Sequence, residues 1–237
     1  MNSPASGRPF AAFTSLSTPA VADACMRLGV AFRAADPGIA PLVRGQKLAG
    51  PVLPVRHHGS VDVFLEACER ASAGDVLVID NQGRTDEGCI GDLTVLEARG
   101  AGLAGVVVWG RHRDTDELVR IGWPVFSYGV QPAGPRGMRA AQPERSDVPF
   151  CSFAVAPGDC VFADSDGVIF TSNERLTELM AKAVEISRIE RKQAALIESG
   201  HSLRRQLRFD EYLEKRRNDP SHTFRRHLRA IGGAIEE

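Results

Sequence analysis

The sequence predicts an α/β fold: a layer of parallel strands with helical crossovers, closed by β-hairpins and followed by a C-terminal run of helix. Three observations carry this expectation. Val76-Leu77-Val78-Ile79-Asp80, Val106-Val107-Val108-Trp109 and Pro124-Val125-Phe126-Ser127-Tyr128 are short apolar runs of the length of buried strands. Between the first two, Leu93 to Arg99 reads as a short helix stopped by Gly100, and strand, helix, strand alternation implies parallel pairing. From Asn173 onward, Leu176, Leu179, Met180, Ala183, Ile186, Ile189 and Ile197 form a helical apolar stripe that runs up to Gly200.

The remaining elements follow in order. Ser17-Thr18-Pro19 reads as a helix start, a hydroxyl cap with Pro in the first turn, and Val21, Ala24, Cys25 and Leu28 continue at helical spacing until Gly29. Leu48 to Val55 is interrupted by Gly50, Pro51 and Pro54, which suits short strand pieces and bends. Val61 to Ala71 returns to helical spacing, and Gly74-Asp75 turns into the first buried strand. Beyond Pro149, the segments Phe150 to Val155, Val161 to Asp164 and Val168 to Phe170 are hairpin-like β pieces that close the domain. The chain thus divides into an α/β domain with an N-terminal helix, 1–172, and a helical region involved in subunit packing, 173–237. His201 to Glu237 is rich in Arg yet interleaved with acids and broken at Asp219-Pro220. A solvated helix face or a subunit-packing arm fits it better than a phosphate-tracking surface.

Composition narrows the function classes. The chain has 237 residues, 43% of them hydrophobic, enough for a sizeable core. With 29 Lys+Arg against 30 Asp+Glu it has no global field for nucleic acid or an anionic membrane, and neither is expected as a partner. No apolar stretch approaches the roughly 20 residues of a membrane span. Met1 to Pro9 lacks the charged start and apolar run of a secretory signal, so a cytoplasmic protein is expected. The cysteines, Cys25, Cys68, Cys89, Cys151 and Cys160, contain no C-x-x-C pair and read as reduced packing residues.

Several motifs resolve to ordinary structure. Gly100-Ala101-Gly102-Leu103-Ala104-Gly105 spells G-x-G-x-x-G, but it follows a helix and opens a strand, the reverse of a dinucleotide fingerprint. Asp164-Ser165-Asp166-Gly167 starts like a calcium loop but runs into Val168-Ile169-Phe170 without later oxygen ligands, so it reads as a hairpin turn. His57, His58 and His112 have no partner at metal-ligand spacing and read as satisfied polar residues.

The informative constellation is Gly91-Asp92-Leu93-Thr94 at a helix start together with Trp109-Gly110-Arg111-His112-Arg113-Asp114 just after a buried strand. Taken singly, Asp92 could be only a helix cap and Arg113-Asp114 only a surface ion pair. Together they lie on loops beyond the carboxyl ends of strands, where α/β sheets collect ligands. The free amides of Leu93 and Thr94 suit a substrate carboxylate. Arg113 can hold the adjacent keto oxygen, and Asp114 can anchor a hard divalent ion.

Gly91-Asp92-Leu93, Gly110-x-x-Arg113-Asp114, Pro124-Val125-Phe126, Pro157-Gly158-Asp159 and Asp164-x-Asp166-Gly167-Val168 resemble the RraA-like family over about Ser17 to Gly200. That family includes the class II 4-hydroxy-4-methyl-2-oxoglutarate/4-carboxy-4-hydroxy-2-oxoadipate aldolases and the regulators of RNase E activity. The resemblance implies a swivelling β/β/α domain with a C-terminal helical extension, assembled as a homotrimer or homohexamer with its site at a subunit interface. It implies that Asp114 binds Mg²⁺ or Mn²⁺ largely through waters, Arg113 stabilises a pyruvate enolate, and Asp92 positions a metal-bound water. It also implies that backbone amides at Leu93 and Thr94, beside Gly91, hold the carboxylate. A glutamate from a neighbouring subunit's C-terminal helix completes such sites; Glu190 matches best, with Glu185 and Glu198 as alternatives. Trp109 stands where family members often have an acid, which bears on substrate specificity.

The expected activity is metal-dependent cleavage of a 4-hydroxy-2-oxo acid to pyruvate and a carbonyl product, with oxaloacetate decarboxylation as a side activity. A lysine Schiff base is the rival route, but Lys47, Lys182, Lys192 and Lys215 all lie away from the strand ends. The alternative function is a non-catalytic regulator of RNase E acting by protein contact.

Overall fold

The computed structural model describes residues 8–137 and 146–232; residues 1–7, part of the segment in which the sequence shows no secretory signal, lie outside them. A short helix α1 (Arg8–Ala11) and a 3-10 turn (Ala12–Ser15) lead into α2 (Thr18–Leu28). Ser17 caps α2 by accepting from the Ala20 amide, and Gly29 ends it in the left-handed region at φ 64°. Asp164, from the far end of the chain, also accepts from the Thr18 amide and hydroxyl, at 2.8 and 2.7 Å, fixing α2 to the sheet.

The strands β1 (Phe32–Ala34), β2 (Ala40–Pro41) and β3 (Leu48–Arg56) come next, then α3 (Asp62–Arg70), β4 (Val76–Asp80) and β5 (Gly88–Ile90). Helix α4 (Asp92–Gly100) leads to β6 (Gly105–Trp109) and β7 (Arg111–His112), and α5 (Thr115–Ile121) to β8 (Val125–Ser127). Two hairpins follow: β9 (Val148–Phe150) with β10 (Phe153–Val155), and β11 (Asp159–Asp164) with β12 (Gly167–Ser172). Asp164 pairs with Gly167, so the Asp-Ser-Asp-Gly stretch is the hairpin turn its sequence suggested.

One sheet of eight strands runs in the order β1-β12-β11-β3-β4-β6-β8-β2. Its centre, β3-β4-β6-β8, is parallel, as the crossovers α3, α4 and α5 require, and the flanks are antiparallel. The interrupted Leu48 to Val55 region is a correction to the sequence reading: it is one continuous nine-residue strand. Leu48–Pro51 pairs with β11 on one edge and Val52–Arg56 with β4 on the other. Each half is strand-paired along one edge only, which accommodates Pro51 and Pro54 without their N–H groups.

The sheet curls on itself, bringing β2 back to β11. Its inner face, with Val78, Val107, Phe126, Val161 and Phe170, packs against the β9–β10 hairpin through Phe150 and Val155. The outer face carries two groups of helices. Phe64, Ala67, Val95, Ala98 and Leu118 of α3, α4 and α5 cover Leu77, Ile79, Val106 and Val108. Val21, Ala24 and Cys25 of α2, with Leu179, Met180, Ala183 and Ile186 of α6 (Leu176–Glu198), cover Cys160, Phe162 and Ile169.

Only the first half of the α6 stripe is buried; Ile197, in the last turn, is 46% exposed. Beyond it, α7 (Leu203–Gln206), α8 (Phe209–Asn218) and α9 (Phe224–Ile231) gather around their own cluster of rings. Tyr212 meets Phe224 edge-on at 4.9 Å, and His227 hydrogen-bonds the Leu207 carbonyl at 2.9 Å. No helix among the described residues is long and apolar enough to cross a membrane.

Candidate active site

The site grows from a short parallel pair beside the main sheet. β5 and β7 align Gly88 with Arg111 and Ile90 with His112, and the Arg113 amide donates to the Ile90 carbonyl at 2.9 Å. This pairing places Gly91, which ends one loop, against Arg113 and Asp114, which end the other. Helix α4 starts there, with Gly91 as its N-cap and Asp92 as its first residue.

Asp114 is the N-cap of α5, yet its side chain makes no cap hydrogen bond to that helix. A capping Asp ordinarily turns its carboxylate onto its own helix's second or third amide. Here the backbone adopts φ 60°, ψ 41°, a left-handed conformation that Asp tolerates better than most residues. The Asp114 carboxylate instead points across to the start of α4, where Oδ2 accepts from the Asp92 amide at 3.4 Å. Arg113 Nε lies 3.4 Å from the same oxygen.

The close approach depends on a missing side chain. A Cβ on Gly91 would fall 2.0 Å from Asp114 Oδ2 and 3.3 Å from Arg113 Cγ. Asp92 Oδ1 accepts from the Leu93 amide at 2.7 Å, so in this state the first two amides of α4 face carboxylates of the protein itself. That arrangement displays the preference of a helix N-terminus for anions.

Gly91, Asp92, Leu93, Thr94, Arg113 and Asp114 therefore line one cleft of about 510 Å³. The rest of the lining is residues the sequence reading did not assign to a site: Val61, the N-cap residue of α3, Phe64 and Leu65 of α3, and Leu96 and Glu97 of α4. A signal was present at α3: Val61 at its N-cap and Val63, Phe64, Leu65 and Ala67 within it are more apolar positions than one core face needs. Glu190, Glu185 and Glu198 belong to α6, which packs on α1, α2 and the 3-10 turn, and none of them lines the cleft of its own chain. Among the described residues no group of three or more His, Cys, Asp or Glu converges as a metal cage. Three carboxylates, Asp92, Glu97 and Asp114, line the cleft; Asp92 and Asp114, at the starts of α4 and α5, offer hard oxygen donors that suit a Mg²⁺ or Mn²⁺ ion keeping several waters.

Behind the cleft, the carboxyl ends of β3 and β4 hold buried polar residues. Arg56 Nε pairs with Asp80 Oδ2 at 3.0 Å. His57 lies 2.9 Å from Asn81 Oδ1 through Nδ1 and stacks on Phe64 with ring centres 5.1 Å apart. His112 is also buried, between the Ser127 hydroxyl at 2.7 Å and that of Thr115 at 3.2 Å. Burial pushes its pKa down, with the nearby Asp114 charge opposing the shift. His112 is bonded through both ring nitrogens and His57 is held through Nδ1 and its stack on Phe64, and Gly100 to Gly105 leads from α4 into β6 as its sequence context indicated.

The sequence profile of the RraA-like family, described as Aldolase/RraA, matches residues 18–170. The chain belongs to the RraA-like family. Its fold is that of the family's solved members. A Streptomyces coelicolor structure, "RraAS2, an unusual member of the RNase ES inhibitor RraA protein family", is 27% identical with a TM-score of 0.67, over 80% of this chain and 98% of that one. An uncharacterized protein from Pseudomonas syringae pv. tomato is 25% identical with a TM-score of 0.71, over 85% and 98%. Among curated relatives, Protein DlpA of Legionella pneumophila is 28% identical over 175 residues, 70% of this chain. The matched region spans only 28% of the length of DlpA. A "Putative 4-hydroxy-4-methyl-2-oxoglutarate aldolase" of Alkalilimnicola ehrlichii is 32% identical over 125 residues, 52% of this chain and 76% of that protein.

Proposed function

We propose that this protein is a divalent-metal-dependent lyase that cleaves a 4-hydroxy-2-oxo acid to pyruvate and a carbonyl product. The observation that carries the reading is Asp114, the cap residue of α5 whose carboxylate is turned away from its own helix, toward Arg113 and the amides of α4. Several relatives that bear 4-hydroxy-4-methyl-2-oxoglutarate aldolase names, at about 30% identity, support the reaction class.

In this reading the C1 carboxylate of the substrate binds the amides of Leu93 and Thr94, taking the place of the Asp92 carboxylate at the first of them. Arg113 donates to the C2 oxygen. The C3–C4 bond breaks, its electron pair forms the C2–C3 double bond of the enolate, and the C4 hydroxyl loses its proton as the carbonyl product forms. Protonation at C3 then gives pyruvate. Arg113 stabilises the charge developing on the C2 oxygen, an effect on the order of 3 kcal/mol for one well-placed donor. Mg²⁺ or Mn²⁺, held by Asp114 with Asp92 beside it, supplies Lewis-acid stabilisation of the same charge when bound. Oxaloacetate decarboxylation leaves the same enolate and is the expected side activity.

Asp92 and Asp114 by themselves are a sparse ligand set, and Leu93, which lines the cleft, is 75% exposed. Both features support a homo-oligomer, trimer or hexamer, in which a neighbouring copy covers the mouth and contributes Glu190. A small 2-oxo acid is the partner this site serves, and neither nucleic acid nor a membrane has a role in it.

The decisive assay follows pyruvate released from 4-hydroxy-4-methyl-2-oxoglutarate and from oxaloacetate with Mg²⁺ or Mn²⁺ and again with EDTA. Metal-dependent release that disappears in an Asp114→Ala variant of unchanged circular dichroism is the expected result. Release from neither acid defeats the lyase reading. It would favour the rival function that the Streptomyces relative brings forward, regulation of an RNase E-type enzyme by protein contact, which needs no metal.

A further inference from the structure

The long side chain of Arg113 lies along three glycines. A Cβ on Gly88 would fall 3.0 Å from Arg113 Cβ, one on Gly91 3.3 Å from Arg113 Cγ, and one on Gly134 2.7 Å from Arg113 Nη1. None of the three has the left-handed backbone that favours glycine, so what they share is the space a side chain would take. The first two approaches also involve other groups: the Gly88 Cβ would meet the Gln131 carbonyl at 2.5 Å, and the Gly91 Cβ the Asp114 carboxylate. Gly134 is different. Among the described residues, its chain neighbours aside, the only atoms within 4 Å of its added Cβ are Arg113 Nη1 and Cζ, the latter at 3.8 Å.

Gly134 reaches Arg113 because the segment before it is tied to both β5 and β7. Val130 bridges to His112 in parallel, the Gln131 amide donates to the His112 carbonyl at 2.8 Å, and the Gly88 amide donates to the Ala133 carbonyl at 2.8 Å. The Gln131 side chain is held as well: Nε2 donates to the Thr85 carbonyl and Oε1 accepts from the Ala133 amide, both at 3.3 Å. Resting on the lyase reading above, we propose that Gly134 is a positioning residue: by lacking a side chain it sets where the Arg113 guanidinium stops, and so where its N–H groups meet the C2 oxygen of the substrate. Nη1 is the far end of a flexible side chain, so a methyl at position 134 is accommodated by moving the guanidinium and not the hydrogen-bonded backbone. Stabilisation of a developing charge depends steeply on that placement. Gly134 acts through Arg113 in this role and need not touch the substrate.

Gly134→Ala and Arg113→Lys, singly and together, test this. Gly134→Ala is expected to lower kcat for metal-dependent pyruvate release by about tenfold to 100-fold, the cost of misplacing a catalytic group by about 1 Å, with little change in KM. The lysine of Arg113→Lys ends where the arginine has Cζ, 3.8 Å from the added methyl and in ordinary contact with it. In that background Gly134→Ala is therefore expected to change kcat by less than about twofold, a departure from additivity that a merely structural role would not produce. Calorimetric binding of oxalate with Mg²⁺, a planar mimic of the pyruvate enolate, reads the same pattern where turnover is too low to measure. An equal loss in both backgrounds overturns this inference and leaves the lyase reading standing, as does a Gly134→Ala variant of wild-type kcat. Should Gly134→Ala fold poorly alone, normal folding beside Arg113→Lys supports the clash with the guanidinium, and poor folding in both backgrounds overturns it. No metal-dependent pyruvate from the wild-type chain with any 4-hydroxy-2-oxo acid or with oxaloacetate removes the lyase reading, and this inference with it.

Discussion

Gly91 is extended at φ −145°, a conformation any residue adopts, so replacing it tests sterics alone. The added methyl of Gly91→Ala, 2.0 Å from Asp114 Oδ2, forces that carboxylate away from the first amide of α4. Displacement of a catalytic group by about 1 Å costs on the order of 100-fold, and that loss in metal-dependent turnover, with circular dichroism unchanged, is the expected result. A second residue-scale prediction concerns pH. Burial pushes the Cys160 thiol up to about 12, helped by the Asp159 charge, and burial pushes Cys151 up to about 11, both from an ordinary 9.0. A thiol whose folded pKa is raised contributes its stability fully below pH 9 and loses it as pH rises toward the folded value. Thermal midpoints measured from pH 8 to pH 10.5 should fall on the alkaline side, and less steeply in Cys160→Ala; equal slopes would contradict the assignment. That Gly91 to Thr94 would lie beside Arg113 and Asp114 was legible in the sequence, because both segments follow from identity and spacing at the ends of strands. The left-handed turn at Asp114 was not, because it is set by β5 lying beside β7, a contact between segments about twenty residues apart.

At the scale of elements, α6 separates what periodicity reveals from what it leaves open. The stripe from Leu176 to Ile197 reads as one amphipathic helix, and one helix forms, but only its first half has a surface to pack on. Ile186 is fully buried against α2 and the sheet, so Ile186→Ala is expected to cost about 2–4 kcal/mol in urea denaturation. Ile197→Ala, on the exposed half, should stay within about 0.5 kcal/mol when measured on dissociated chains. Similar destabilisation at both positions would mean that the second half of α6 packs on its own chain after all. The strands show the opposite limitation. β4, β6 and β8 were legible because each is buried on both faces and apolar throughout. β3 was obscured by Pro51 and Pro54, since local composition cannot say that a strand will change partner halfway along.

At the scale of the whole molecule, the inventory of the cleft and the geometry of α6 lead to one expectation. The cleft supplies Asp92 and Asp114, whereas Glu190 projects from a helix packed on α1 and α2, outside the cleft of its own chain. If a neighbouring copy brings Glu190 to the metal, each working site is composite, and the two acids can be inactivated on different chains. Asp114→Ala and Glu190→Gln should then each lack metal-dependent turnover alone. Mixed at equal amounts, dissociated and reassembled, they should form sites in which the Asp114 of one chain meets the Glu190 of the other. Random closure of a ring leaves about a quarter of such sites intact, so recovery of about a quarter of wild-type activity is the expected outcome. Mixed oligomers demonstrated by mass spectrometry but devoid of activity would exclude Glu190 as the shared ligand. The same mixing with Glu185→Gln or Glu198→Gln in its place would then identify the acid that α6 delivers. If every such single variant retains full turnover, the metal is held within one chain and oligomerisation serves some other purpose than completing the site.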